Sequence, residues 1–320
     1  MSSVVVIGAG AWGTALAIQA ARAGNDVTLW ARDPARAQAI AVSRENPRLP
    51  GQRLPDAIRI VDALPATADV VLLVVPMQHL RSVLERLPTP AAPLVVCIKG
   101  VETGTLRLPL EVVAELRPDA SMAVLTGPNF AHEIAAGLPA ASVVAAADPV
   151  VRDRLTALLA TPSFRLYGND DPVGAQVGGA AKNVIAIAAG AVIGAGLGEN
   201  ARAGLITRGL AELARLAVVL GGRSDTVMGL SGLGDLLLTC TGPASRNFSL
   251  GLALGRGELL ADVLAARSAV TEGVATAPAL VARAAGVDMP ICTAVAELLA
   301  GRTTLAEAIT QLLARPRRDE

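Results

Sequence analysis

The first half of the chain alternates short runs of β-branched residues with Ala-rich amphipathic stretches, a pattern that predicts strands interleaved with helices. Strands are expected at residues 4–7, 26–30, 70–75, 94–98, 122–125, 141–145 and 164–167, with helices such as 11–23, 78–86 and 150–159 between them. Right-handed crossovers would wind these elements into a doubly wound parallel sheet. After Gly168-Asn169-Asp170-Asp171-Pro172 no further run of strand type appears, and apolar positions recur at helical spacing over 173–193, 201–220, 259–264, 275–285 and 305–313. The expected fold class is α/β, with the sheet domain over residues 1–170 and an all-α domain over 171–320.

Composition narrows this picture. A chain of 320 residues can bury two cores. Hydrophobic residues make up 52%, but the longest uncharged apolar stretch, 183–198, is 16 residues bounded by Lys182 and Glu199. That is short of the ~20 residues a bilayer span requires, so no membrane span is expected. The N-terminus enters a strand without a basic region or cleavage site, which points to a cytoplasmic location. Cys97, Cys240 and Cys292 form no CxxC pair and His79 and His132 are the only histidines, so neither a disulfide framework nor a metal site is expected. Zero net charge and the lack of a basic run interleaved with aromatics argue against a nucleic-acid partner.

Gly8-Ala9-Gly10-Ala11-Trp12-Gly13 follows the first strand and opens a helix, the context in which GxGxxG reads as a dinucleotide fingerprint. Gly8 permits the tight turn, Gly10 lets backbone approach a pyrophosphate, and Gly13 lets helix and sheet pack closely, with the helix N-terminus facing the phosphates. The first domain is thus expected to be of the Rossmann type. At the end of the second strand, Arg32 suits a 2′-phosphate, whereas Asp33, 20 residues beyond Gly13, suits a free 2′-hydroxyl. NADPH and NADH are both allowed, with a lean toward NADPH.

Of 28 basic residues only Lys99 and Lys182 are lysines, and Lys, unlike Arg, can give up its proton. Lys99 follows a strand at the edge where open α/β sheets bind ligands. Lys182 sits in the most apolar helix of the chain, where an ammonium is costly unless it faces a cleft or an acid. A second cation nearby, such as Lys99, would ease its deprotonation, as a general acid for carbonyl reduction requires. Asp235, behind Gly234, and Ser245-Arg246-Asn247 read either as site residues or as helix starts.

The blocks GAGAWGTA, KG, GPNFAHEIAAGLP, GGAAKNVIAIAAG, NARAGLITRGLAE, GLGDLLLTC, SRN and TEG resemble, in order and across nearly the whole chain, the bacterial NAD(P)-dependent glycerol-3-phosphate dehydrogenases. The resemblance implies Lys182 as the catalytic proton donor and acceptor, with Lys99, Gly127, Asn129, Asn183, Asp235, Ser245, Arg246 and Asn247 around a dihydroxyacetone phosphate or glycerol 3-phosphate substrate. It implies Gly8, Gly10, Ala11, Trp12, Gly13, Arg32, Lys99, Ala131, Arg246, Val270 and Glu272 at the cofactor, no metal, and leaves a homodimer open. Asn129 and Ala11 depart from the family, which often has Thr and Ser there. The nearest alternative is a two-domain dehydrogenase acting on a β-hydroxy acid or ketopantoate, against which Arg246-Asn247 speaks as a phosphate grip. A non-catalytic NADPH-binding regulator is the other class, against which Lys182 speaks.

Overall fold

The computed structural model describes residues 1–88, 92–267 and 271–316. The chain divides into two compact units, Met1–Lys99 with Arg107–Gln176 and Gly100–Leu106 with Val177–Glu320.

The first unit carries β1 (Ser3–Ile7), α1 (Ala11–Arg22), β2 (Asp26–Trp30), α2 (Pro34–Ser43), β3 (Arg59–Val61), β4 (Val70–Leu73), α3 (Leu80–Arg86), β5 (Leu94–Val96), α4 (Pro109–Leu116), β6 (Met122–Thr126), α5 (Ala131–Ala136), β7 (Ala140–Ala145), α6 (Pro149–Leu159) and β8 (Phe164–Asn169). Its eight strands form one sheet in the order β3-β2-β1-β4-β5-β6-β7-β8. Strand order reverses between β1 and β4, the switch point at which a doubly wound sheet opens a crevice. The register sets Ile7 opposite both Trp30 and Leu73, so β1, β2 and β4 end level.

Two features depart from the expected sheet. β3 was not foreseen: three residues beginning at an exposed Arg59 carry no alternation to read. The sheet is not wholly parallel, because β7 runs antiparallel to β6. This turn brings Ser142, just beyond the Thr126–Val143 pair, back to the edge where β6 ends.

Local chemistry places the helices. Asp33-Pro34 and Asp148-Pro149 start α2 and α6, their carboxylates accepting from Arg36 N at 3.2 Å and Val150 N at 2.8 Å while proline presets the first helical φ. Arginine closes helix ends from a distance: Arg22 donates to the Ile134 and Ala135 carbonyls of α5, and Arg117 to those of Leu84 and Leu87 at the end of α3. The planar guanidinium fork suits two carbonyls at once, one structural use for so Arg-rich a chain.

The second unit is helical beyond its 100–106 segment: α7 (Pro172–Gly194, whose first turn belongs to the first unit), α8 (Gly198–Val219), α9 (Ser224–Val227), α10 (Asp235–Cys240), α11 (Arg246–Gly255), α12 (Leu260–Ala265), α13 (Glu272–Arg283), α14 (Pro290–Leu299) and α15 (Leu305–Leu313). At 23 residues α7 is long and apolar enough to cross a membrane, yet 89% of its most apolar stretch is buried inside the protein. Helix α11 crosses it at backbone contact. A Cβ on Gly190 would stand 2.0 Å from the Phe248 carbonyl oxygen, and one on Gly251 1.9 Å from that of Ile187. Glu212, 1% exposed on α8, accepts from Ile291 N and Cys292 N at 2.7 and 3.1 Å and so closes the start of α14.

Candidate active site

In the first unit the sequence-predicted residues collect along one sheet edge. Gly8 to Gly13 leave β1, Arg32 leaves β2, Lys99 follows β5, and Gly127 and Asn129 follow β6, all at carboxyl ends of parallel strands. Ala131 opens α5 in the same connection. The fingerprint works by excluding side chains. Gly8 has φ +119°, and a Cβ there would lie 2.6 Å from the Val74 carbonyl oxygen; a Cβ on Gly13 would lie 1.8 Å from the Gly8 oxygen. At Gly10, by contrast, a Cβ would meet nothing within 4 Å. That open space lies over the start of α1, where Gly10 supplies no side-chain cap and the first-turn N–H groups, including those of Ala11 and Trp12, have no acceptor four residues back. This is the form a pyrophosphate cradle takes.

Asn46, 1% exposed, locks the loop from behind. Its Nδ2 donates to the Ala9 carbonyl at 3.1 Å and to Thr14 Oγ1 at 2.6 Å, while its Oδ1 accepts from Arg48 N at 3.1 Å. The Arg36 guanidinium donates to the same Ala9 carbonyl. Asp33 spends its carboxylate on the α2 N-cap, and Arg32 is exposed with no hydrogen bond or ion pair to any described residue.

Farther along the edge, Lys99 Nζ donates to the Gly127 carbonyl at 3.3 Å. A Cβ on Gly127, at φ +147°, would meet Ser142 Cα at 3.0 Å. Asn129 Nδ2 donates to Ser142 Oγ at 2.5 Å, while its Oδ1 is buried without a hydrogen-bond partner among the described residues. A buried orphan acceptor costs about 1–3 kcal/mol, a cost a ligand donor would relieve. The open backbone at Gly10 and this orphan oxygen both fit a bound dinucleotide and a polar substrate.

In the second unit the centre is Lys182, 8% exposed in the middle of α7. Its Nζ donates to the Asp235 carboxylate and, at 2.9 Å, to Thr239 Oγ1; Thr239 in turn donates to the Asp235 carbonyl at 2.6 Å. Asp235 is 0% exposed and lies inside the first turn of α10, so it is an ion-pair partner and not an N-cap. Within this unit the charge beside Nζ is a carboxylate, the acid partner that a lysine in so apolar a helix calls for, and it opposes the loss of charge that burial imposes. One π turn, Leu230–Gly234, delivers Asp235. It seats against α7 because Gly178 has no side chain: a Cβ there would lie 2.5 Å from the Ser231 carbonyl oxygen. The GGAAKN and GLGD blocks are therefore two halves of one packed junction. Cys240 lies within electrostatic reach of this pair, and burial pushes its thiol up to about 12, which keeps it protonated and inert as a nucleophile.

A second chain of bonds starts one residue on. Asn183 Nδ2 donates to Glu272 Oε2 at 3.3 Å, Asn183 Oδ1 accepts from Asn247 Nδ2 at 2.9 Å, and Asn247 Oδ1 accepts from Gly273 N at 3.0 Å. Ser245 is the N-cap of α11, its Oγ accepting from Phe248 N at 3.2 Å, so its reading as a helix start holds. Arg246 is the first residue of that helix and is exposed at its N-terminus. Arg267, unforeseen from the sequence, donates to the Arg246 carbonyl at 2.7 Å and to Ser249 Oγ at 3.0 Å. Burial and the Arg246 charge hold its guanidinium below the ordinary arginine value. Val270 lies outside the described residues. Thr239, absent from the sequence candidates, carried a usable signal in its spacing one helical turn beyond Asp235, whereas Asn46, Ser142 and Arg267 carried none, because their partners are remote in sequence or stand on a turn no local pattern marks.

A family model described as NAD-dependent glycerol-3-phosphate dehydrogenase N-terminus matches residues 3–151, and the model of the C-terminus of the same enzyme matches residues 171–310. The chain is 55% identical over 318 residues to a glycerol-3-phosphate dehydrogenase, NAD(P)+, of Gluconobacter oxydans (strain 621H), covering 98% of this chain and 97% of that one. It is 58% identical over 317 residues, with the same coverage, to the corresponding protein of Acidiphilium cryptum (strain JF-5). The crystal structure of glycerol-3-phosphate dehydrogenase from Coxiella burnetii superimposes with a TM-score of 0.93 at 36% identity, over 98% of this chain and 99% of that one. The chain belongs to the NAD-dependent glycerol-3-phosphate dehydrogenase family.

Proposed function

We infer that the chain catalyses the reversible NAD(P)H-dependent reduction of dihydroxyacetone phosphate to sn-glycerol 3-phosphate, a precursor of glycerophospholipids, in the cytoplasm. The reading rests on the family and on one observation above all, a lysine ammonium buried in an apolar helix and neutralised by a fully buried carboxylate. Residues 1–170 serve the dinucleotide and 171–320 the substrate. The bound nicotinamide supplies or accepts the hydride.

Lys182 gives a proton to the alkoxide oxygen during reduction and takes it back during oxidation. Asp235 keeps the ammonium charged despite its burial, and Thr239 fixes the direction of Nζ. The α11 N-terminus, with Arg246 and Asn247 in its first turn, holds the substrate phosphate through charge-assisted bonds and the helix-end N–H groups. Asn183 orients Asn247 through their shared bond, and Ser245 shapes the same turn. Gly127 and Asn129 are assigned to the substrate, and Lys99 to both substrate and cofactor. Gly8 to Gly13, Arg32, Ala131, Val270, Glu272 and Arg246 serve the cofactor.

Lys182→Met tests the central assignment. Loss of a general acid removes about 10²- to 10⁴-fold of kcat. NADPH affinity is expected to stay within about twofold, since the fingerprint lies elsewhere in the chain. The substitution also strands the Asp235 charge, at about 3–5 kcal/mol, so the double variant with Asp235→Asn serves as the folding control. A Lys182→Met protein keeping more than about a tenth of wild-type kcat would contradict a general-acid role.

A further inference from the structure

We propose that Arg36 sets the choice of NADPH over NADH, forming with Arg32 and Arg48 a cationic seat for the 2′-phosphate. The proposal deepens the cofactor half of the function inferred above and rests on it. Three observations carry it. First, the residue placed to read a free 2′-hydroxyl, Asp33, is already engaged as the N-cap of α2. Second, Arg36, one turn into α2, lays its guanidinium on the Ala9 carbonyl inside the fingerprint loop, which a helix-surface arginine pointing into solvent would not do. Third, Arg48 is carried to the same place, because Asn46 bonds both the Ala9 carbonyl and the Arg48 N–H.

Burial lowers the Arg36 guanidinium below the ordinary arginine value, the nearby Arg48 charge adds to that lowering, and the Asp33 carboxylate acts in the opposite sense. Like charges gathered at a partly buried position cost free energy in the unliganded chain. A dianionic phosphate relieves that cost and gains charge-assisted bonds, whereas a 2′-hydroxyl does neither. Arg32, exposed and unpaired among the described residues, completes the seat from the end of β2. Since Arg36 also touches the fingerprint backbone, a purely structural role predicts equal harm to every adenine nucleotide. A 2′-phosphate role predicts harm to one class only.

The test is calorimetric titration of the full chain with adenosine 2′,5′-bisphosphate and with adenosine 5′-monophosphate, neither of which requires turnover. The wild type is expected to bind the bisphosphate about 10- to 100-fold more tightly, the range of one or two charge-assisted contacts. Arg36→Met should remove most of that ratio and leave the monophosphate within about twofold, Arg36→Lys should retain part of it, and the ratio should shrink as salt rises. Arg48→Ser, an exposed change that spares the Ala9 contact, should lower the ratio about two- to fivefold, so the proposal stays testable if Arg36→Met folds poorly. Equal weakening of both nucleotides by Arg36→Met, an unchanged ratio in both variants, or a wild type that does not discriminate would overturn it. Failure of the dehydrogenase reading would show separately, as absence of dihydroxyacetone phosphate reduction in a protein whose nucleotide ratio is intact.

Discussion

The two units build their binding chemistry by opposite means. In the first, the fingerprint removes side chains: Gly8 and Gly13 admit backbone contacts that a single methyl would forbid, and Gly10 leaves its approach open. In the second, the site is made of side chains that cancel one another's burial cost, Lys182 against Asp235 and Asn183 between Asn247 and Glu272. Glycine does the positioning there too, but at a distance, through Gly178 under the π turn and Gly190 and Gly251 at the α7–α11 crossing. A cradle made of backbone tolerates any residue that leaves the backbone alone. A compensated charge pair tolerates no loss of one partner.

The comparison is sharpened first by the two loop glycines. Gly13→Ala forces a Cβ to 1.8 Å from a backbone oxygen, so the loop itself must move. The expected outcome is loss of measurable NADPH binding together with about 1–3 kcal/mol of stability, read by nucleotide titration and urea unfolding. Gly10→Ala meets nothing in the protein and should cost about 1 kcal/mol or less, from a poorer N-cap alone. Its effect should fall on the ligand, weakening NADPH about tenfold where the pyrophosphate needs close backbone approach. Equal stability losses in the two variants would mean that the loop is not the rigid cradle described.

Arg246→Leu probes the second unit in the same spirit. Removing a charge-assisted phosphate contact is worth about 1.5–3 kcal/mol, so the KM for dihydroxyacetone phosphate should rise about 10- to 100-fold. The melting temperature should hold, because Arg246 is exposed and its charge repels Arg267. A fall in melting temperature with KM unchanged would make Arg246 a structural residue.

The smallest expected effect is a pH dependence. Burial raises the Glu212 carboxyl above 4.5, against the lowering pull of the Ile291 and Cys292 N–H groups. The folded state therefore holds that proton more tightly than the unfolded chain, and the associated stability is full below about pH 4.5 and is lost as pH rises through the elevated value. Glu212→Gln should flatten this part of the stability–pH curve, measured by urea unfolding between pH 5 and 8. It retains one acceptor for Ile291 N. A curve as steep as the wild type's would assign the dependence to another group.

Local chemistry explains what was legible in the sequence. The fingerprint and the lone lysines announce themselves through residues adjacent in the chain. The direction of β7 does not, since a strand's period of two is the same either way. The signal there was the short connection from Thr126 to Ala140, occupied by a six-residue helix, close to the minimum a parallel crossover needs. Asn46 had no signal at all: its partners Ala9 and Thr14 lie 37 and 32 residues away, and a buried asparagine in an aperiodic stretch looks like any turn residue. Lys182 was legible as anomalous, with an acid as one way to satisfy it, but only the family resemblance brought Asp235 to its site, because Asp235 is 53 residues distant and reaches it through a π turn.

The most direct measurement is the initial rate of NADPH and NADH oxidation by the purified protein with dihydroxyacetone phosphate, unphosphorylated dihydroxyacetone and ketopantoate in parallel. Rapid oxidation with dihydroxyacetone phosphate is the predicted result, with the other two carbonyls slower in kcat/KM by about 10²-fold or more for want of the phosphate contacts. Comparable rates with ketopantoate or with dihydroxyacetone would contradict the account, since dihydroxyacetone brings no anion to the grip assigned to Arg246, Asn247 and the α11 N-terminus, and ketopantoate brings a singly charged carboxylate where that grip is matched to a phosphate dianion.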